Sequence, residues 1–342
     1  MIKVLQIGPS RKNKGGITTV LNMWEHSGIW KDYGCKWIET QDNRGFLYKV
    51  FYFVRSILLT SLYISHYDIV HFHTTPGRSM IVQMPIFLLS ILYRKKRVVH
   101  LHVGNQLNDF NNDKVVKWFL KKSDKIVVLA CVWKELLINK YNTPREKVIV
   151  LYNPAPNVEV VSQKEKYVLF MSYLTKNKGY DILLKAFSQV VQNNKDWKLV
   201  IAGAGEIVSA KKMVDVLHLT QNVEFYEWVQ GENKKNLLMH AGVFCMASYM
   251  EGFPMSVLEA WAYGVPLITT PVGGLPDVLI DGQNAMVFQF GNVNELIEKM
   301  KRLLTSDDLR FRLSNAGHRL AEEVFNMKVI KKEIELLYSD LS

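Results

Sequence analysis

An α/β fold with two parallel-sheet domains is predicted by three features of this chain. Short apolar runs alternate with helix-length segments from end to end, the runs are nearly continuous in apolar character rather than alternating, and one Pro-rich break divides the series in two. Continuous β-branched runs are what strands need when helices cover both faces of their sheet. The length of 342 residues agrees, because single cores stop growing near 250–300 residues and chains then divide. Hydrophobic residues make up 48% of the chain, enough for two cores.

The elements follow in order. KVLQIG, DIVHFH, RVVHLH, KIVVLA and KVIVLYN are the strand candidates of the first half. Asn153-Pro154-Ala155-Pro156 then breaks the pattern, and the polar stretch VEVVSQKEK leads to a second series of YVLFMS, KLVIAG, VEFYEWV, VFCMAS and PLITT. The boundary is expected between residues 153 and 166, giving domains at 1–155 and 165–325. The final segment, EEVFNMKVIKKEIELLYSDL, is amphipathic and follows the completed second series. No internal repeat or low-complexity tract is visible. Ligands of open parallel sheets bind beyond the strand C-termini, and the motifs described below cluster there.

Charge is placed unevenly. The formal net charge is +11, but residues 1–150 hold 23 Lys+Arg against 10 Asp+Glu, a net +13, while the remainder is slightly acidic. A basic half calls for a polyanionic partner: nucleic acid, an anionic membrane or phosphorylated substrates. Zinc-finger spacing, a ribonucleoprotein signature and a disordered basic tail are all missing, so nucleic acid is not expected. Cys35, Cys131 and Cys245 stand far apart with no CxxC, which suits free thiols in a reducing compartment. MIKVLQIGPS reads as a strand entering a turn rather than a signal peptide, so a cytoplasmic location is expected.

Two apolar stretches bear on membranes. Phe46 to Ile64 is interrupted by Lys49 and Arg55, and Ile81 to Tyr93 is too short to cross about 30 Å of hydrocarbon. Both fit helices that bury one apolar face in the protein. The competing reading is an interfacial helix pair on an anionic bilayer, since Arg94, Lys95, Lys96 and Arg97 follow the second stretch directly. Peripheral attachment to the inner membrane face is therefore a candidate property.

The most informative passage is EGFPMSVLEAWAYGVPLITTPVGG, residues 251–274. Glu251 lies on a Gly-Phe-Pro turn and Glu259 within the helix that follows. A helix entered this way aims free N–H groups at its loop and favours an anion there. The two carboxylates can then accept hydrogen bonds from two sets of hydroxyls, the arrangement a nucleotide-sugar presents through its sugar, diphosphate and ribose. Taken alone, a loop charge and a solvated helix position would explain both glutamates. The passage as a whole resembles the signature of the retaining nucleotide-sugar glycosyltransferases of family 4. Ser248, Glu251, Gly252, Pro254, Leu258, Glu259, Ala260, Gly264, Pro266, Gly273 and Gly274 fall in its register. Ala247, Trp261 and Asp277 depart from it mildly.

That resemblance implies the GT-B fold, two Rossmann-like domains facing across a cleft. The N-terminal domain would serve the acceptor, the C-terminal one would bind the donor, and the closing helix at about 326–342 would return to the N-terminal domain. Glu251 would orient the donor sugar with the backbone amides of Gly252, Phe253, Met255 and Ser256 near Pro254, and Glu259 would hold the ribose diol. Lys178 matches the Lys that neutralises the donor diphosphate, but Tyr173 stands where the family has an Arg and brings no charge. Gly15 and Gly16 match a loop that closes over the diphosphate, with Arg11, Lys12 and Lys14 before them. His102 matches the family's cleft histidine, and His73, Thr74 and Asn105 are acceptor-side candidates.

The reaction implied is transfer of a sugar from a UDP- or GDP-linked donor to a saccharide or polyprenyl-diphosphate-linked acceptor in surface polysaccharide synthesis, with retained configuration. Glu251, His102 and Lys178 would carry the catalysis. Strand histidine pairs at His71/His73 and His100/His102 raise the question of a metal, but no Cys or acidic residue accompanies them and no Asp-x-Asp element is present, so no metal or other cofactor is expected. A GT-B epimerase or phosphorylase, or a silent polyanion-binding homologue, remain the alternatives.

Overall fold

The computed structural model describes residues 2–102, 113–161 and 163–342. The chain divides into two compact units, one of Met1–Pro154 with Met327–Ser342 and the other of Ala155–Asn326.

Unit 1 contains β1 (Val4–Gly8), α1 (Gly16–Glu25), α2 (Gly28–Asp32), β2 (Lys36–Glu39), α3 (Phe46–Tyr63), β3 (Ile69–Thr74), α4 (Arg78–Leu92), β4 (Lys96–Leu101), α5 (Lys114–Lys122), β5 (Lys125–Val128), α6 (Cys131–Tyr141) and β6 (Val148–Val150). Its strands form one parallel sheet in the order β2-β1-β3-β4-β5-β6. Every residue of β1 and β3 is buried. Leu5, Ile7, Val70, Phe72, Val99 and Ile126 pack with Phe87 of α4, Phe119 of α5 and Trp133 and Leu137 of α6. β2 was not among the expected strands. KWIE is charged at both ends and buries only its middle pair, as an edge strand can.

Unit 2 contains β7 (Tyr167–Met171), α7 (Tyr180–Val190), β8 (Lys198–Ala202), α8 (Ile207–Val216), β9 (Val223–Tyr226), α9 (Gly231–His240), β10 (Val243–Met246), α10 (Met255–Ala262), β11 (Leu267–Thr269), β12 (Met286–Val287), α11 (Val293–Thr305) and α12 (Asp307–Glu323). The parallel sheet runs β12-β11-β10-β7-β8-β9. Val168, Phe170, Leu199, Ile201, Val243 and Ile268 meet Leu183 and Phe187 of α7 and Met300 and Leu303 of α11. Asn292 and Ser306 cap α11 and α12, each accepting a hydrogen bond from the backbone N–H three residues on.

α13 (Met327–Ser339) belongs to unit 1. Its buried residues Ile330, Ile334, Leu337 and Tyr338 recur at helical spacing and form one face. Lys331 pairs with Asp32, and Asp340 beyond the helix pairs with Lys125.

α3 corrects an expectation. Its buried residues are the polar Ser56 and Thr60, while Leu47, Phe51, Leu58 and Leu62 are at least 60% exposed. Among its apolar residues Leu59, partly buried, packs against the core, but the helix turns its main apolar face outward. Residues Phe46–His66 are long and apolar enough to cross a membrane by length and composition, with 17% of that window buried.

Candidate active site

Strand order positions the unit 2 site. From β7 the chain adds β8 and β9 on one side and then returns to place β10 on the other side of β7. Loops leaving β7 and β10 must diverge toward opposite faces, and the crevice between them is where open α/β sheets bind ligands. Lys178 follows β7 and Glu251 follows β10. They meet there: Lys178 Nζ donates to Glu251 Oε1 at 2.6 Å, and Ser248 Oγ donates to the same oxygen at 2.8 Å.

Backbone contacts hold this loop from both sides. Tyr249 N donates to Asn177 O at 2.7 Å, Thr270 Oγ1 to Ser248 O at 2.6 Å, and Gly274 N to Gly252 O at 2.8 Å. Two glycines make the close approach possible. Gly179 has φ +72°, and a Cβ there would lie 2.0 Å from Ala247 O; Gly273 has φ +63°, and its Cβ would lie 2.1 Å from Gly252 O. The Gly-Gly of the signature therefore acts through packing against the Glu251 loop. Beyond the loop, α10 starts at Met255 with Pro254 before it and no side-chain cap, leaving the N–H groups of Met255 and Ser256 available to an anion. Phe253 is buried against Phe325 and anchors the turn.

Glu259 sits one turn into α10 and is almost wholly buried. Lys234 Nζ of α9 donates to its Oε1 at 2.5 Å. Burial raises the Glu259 pKa, and the Lys234 charge and hydrogen bond oppose that rise. Lys234 escaped sequence reading, since GENKKNLL looks like any charged surface helix and its partner is 25 residues away. Trp261 fits because Gly317 of α12 has no side chain: a Cβ there would lie 2.2 Å from the indole.

Tyr173 is 55% exposed beside the β7 end, against a turn at Gly205 that follows β8. It brings no positive charge to the loop. Lys176 is exposed and has no ion-pair partner among the described residues. Lys178 spends one of its three N–H donors on Glu251, and Lys176 and the α10 amides are further donors for an anion.

In unit 1, Gly15 and Gly16 open α1 beyond β1, again without a side-chain cap. Arg11 is committed elsewhere, to an ion pair with Glu25 and a cation–π contact 4.3 Å from the Trp37 ring. Asn105 lies outside the described residues.

The strand histidines form a buried stack on β3 and β4. His71 and His73 lie 4.5 Å apart between ring centres, and His100 and His102 4.1 Å apart. His73 Nε2 faces Gln6 Oε1 at 2.9 Å, an oxygen that can only accept, so this nitrogen carries the proton. In the neutral ring Nδ1 then accepts, and it takes a hydrogen bond from His102 Nε2 at 2.9 Å. Gln6 Nε2 in turn donates to Tyr338 Oη at 3.0 Å, and Tyr338 donates to His71 Nδ1 at 2.8 Å. The chain Tyr338–Gln6–His73–His102 thus fixes the His102 tautomer and leaves its Nδ1 as the ring's acceptor. Burial lowers the pKa of all four histidines, that of His102 to about 3, so they are neutral near pH 7.

Three of these rings, His71, His73 and His100, bring nitrogens within 4.8 Å of one another. His73 has both nitrogens engaged, so the trio does not supply three free donors to an ion. His73 and Thr74 have no exposed surface, and Thr74 Oγ1 bonds Ser79 Oγ. The structure therefore places them in the interior, supporting His102, and not on an acceptor-facing surface.

Comparisons agree with this architecture. The family model of glycosyl transferases group 1 matches residues 154–320. The capsular polysaccharide biosynthesis glycosyltransferase CapM of Staphylococcus aureus is 26% identical over 66% of this chain and 58% of its own length. A 41.2 kDa protein in the cps region of Klebsiella pneumoniae is 22% identical over 84% of this chain and 86% of its own length. The chain spans about six tenths of the length of the first curated relatives it matches. Anabaena HepE, solved with UDP-glucose, shares the fold at a TM-score of 0.81 and 15% identity, covering 99% of this chain and 100% of that one. The group 1 glycosyl transferase match therefore covers nearly all of unit 2 and just under half of the chain, within a GT-B fold that HepE shares over its whole length.

Proposed function

We propose that this protein is a retaining, family 4-type glycosyltransferase. It transfers a sugar from a UDP- or GDP-linked donor to a saccharide acceptor carried on a polyprenyl diphosphate, in synthesis of a bacterial surface polysaccharide. The observation that carries the reading is the pairing of Lys178 and Glu251 at the unit 2 switch point, beside the uncapped start of α10. The capsular and cps-region names of two relatives, and the UDP-glucose bound by HepE, support the substrate class.

In this reading the diphosphate lies against the α10 amides and Lys178, where negative charge grows as the glycosyl bond breaks. Glu251 orients sugar hydroxyls, and Glu259 holds the ribose diol. His102, neutral and with Nδ1 as acceptor, takes a hydrogen bond from a sugar hydroxyl. The leaving phosphate helps remove the acceptor proton from the same face, which retains configuration, and no metal is required. Gly15 and Gly16 add amides for the diphosphate. The enzyme works at the cytoplasmic face of the membrane, attached peripherally.

The test is incubation with nucleotide-sugars and a prenyl diphosphate-linked saccharide, following nucleoside diphosphate release and the anomeric configuration of the product by NMR. An α-linked product from an α-linked donor is expected. An inverted product removes the retaining assignment, and an epimer or sugar phosphate formed without acceptor removes transfer itself.

A further inference from the structure

α3 is built inside out. Its inward residues Ser56 and Thr60 turn their hydroxyls back to Phe53 O and Ser56 O, while Leu47, Phe51, Val54, Leu58 and Leu62 form an outward stripe at helical spacing. α4, packed beside it, buries Met80, Ile86 and Phe87 in the core on its inner side and extends the outward apolar surface with Ile81, Leu88 and Leu92. A soluble surface has no use for such a continuous apolar face, whereas a bilayer does.

At the start of both helices lies a hollow of about 290 Å³. Thr40, Gln41 and Asn43 beyond β2 form its polar wall, Lys49 and Phe53 come from α3, and Arg78 from α4. Neighbouring cations are already paired, Arg44 with Asp42 and Arg55 with Glu39. Lys49 and Arg78 have no ion-pair partner among the described residues, so two unneutralised charges face one small polar hollow at the edge of an apolar surface. A second copy of the chain would set a net +13 segment against itself, which disfavours self-association as the cover for this face.

We infer that the hollow seats the phosphate head of a prenyl diphosphate lipid while the exposed face of α3 and α4 enters the bilayer that holds the lipid's chain. This rests on the lipid-linked acceptor proposed above, and it adds the place and the residues that recognise the lipid.

The test is co-sedimentation of the full chain with three sets of phosphatidylcholine vesicles: undoped, doped with phosphatidylglycerol, or doped with prenyl diphosphate to equal charge. Wild type is expected to bind both anionic sets and to prefer the prenyl diphosphate. Lys49→Gln/Arg78→Gln should weaken binding to prenyl diphosphate vesicles roughly 30-fold, each cation contributing about a factor of five, and should abolish the preference. Arg94→Gln/Lys96→Gln, which removes two exposed cations outside the hollow, should weaken both anionic sets while keeping the preference. Leu47→Ser/Leu58→Ser should reduce binding to all vesicles; both positions are exposed, so folding is not at risk.

Equal loss in the two charge variants, or a wild type without preference, overturns the phosphate seat. Undiminished binding of the Leu47→Ser/Leu58→Ser variant overturns the membrane face, as does concentration-dependent dimerisation that this variant abolishes. Vesicle binding requires no turnover, so a failure of glycosyl transfer would be recognised separately in the product assay.

Discussion

Replacing Glu251 by Gln preserves the side chain's shape and removes its charge. In the structure its Oε1 receives Lys178 Nζ at 2.6 Å and Ser248 Oγ at 2.8 Å, and the two charged side chains are 27% and 16% exposed. At that separation the gross attraction is about 6 kcal/mol for an effective dielectric near 20. Desolvation offsets most of it, so the net loss of stability should be about 1–2 kcal/mol. A Tm decrease of a few degrees follows. The effect on turnover should be larger, about 10²-fold or more, because in the proposed site Glu251 orients the sugar and sets the position of the cation facing the leaving diphosphate. Separate measurement of kcat and donor KM, alongside a thermal melt, distinguishes the two effects. A kcat within about twofold of wild type, with the melting shift present, would show that the pair is structural and that donor chemistry occurs elsewhere.

Other perturbations have different signatures. Glu259→Ala should raise the donor KM with little change in kcat, since the ribose that Glu259 is proposed to hold is remote from the breaking bond; equal falls in kcat and kcat/KM would argue against that contact. Lys234→Met leaves Glu259 buried without its cation and should destabilise unit 2 by about 3–5 kcal/mol, measurable by urea unfolding. Gly273→Ala forces a Cβ against Gly252 O at positive φ and should destabilise by about 1–3 kcal/mol while lowering activity; an active variant with an unchanged melt would refute the loop packing. The histidine stack predicts pH dependence. Depressed folded-state pKa values mean that unfolding takes up protons below the ordinary histidine range, so stability is present above about pH 6.5 and is lost as pH falls toward 3. Each histidine contributes a slope of about 1.4 kcal/mol per pH unit, and a urea midpoint constant between pH 7 and 5 would contradict the burial.

The continuous apolar runs were legible because both faces of those strands are covered, which removes any alternation from the pattern. β2 and β12 were not, since short edge strands carry too few buried positions to announce themselves. The Glu251 loop and Lys178 were readable from the signature spacing. Their contact depends on strand order, which the sequence leaves implicit. Lys234 carried no signal, because an exposed helical lysine and one beneath a buried glutamate look alike in sequence. The Tyr338–Gln6–His73 chain joins residues up to 332 positions apart, beyond any local pattern. α3 misled for a physical reason: an apolar helix reads as core by composition, and only its small inward-facing Ser56 and Thr60 betray the reversed polarity.

The most direct test of the proposed donor site is thermal denaturation of wild type and Glu259→Ala with UDP, GDP, ADP and CDP and their sugars. A ligand bound only by the folded state raises Tm by mass action, about 2.7 kcal/mol at one hundred times Kd. At least one UDP- or GDP-sugar should stabilise wild type, and Glu259→Ala should lose most of this shift. No shift with any nucleotide-sugar, or an equal shift in the variant, would contradict the placement of the donor at the unit 2 switch point.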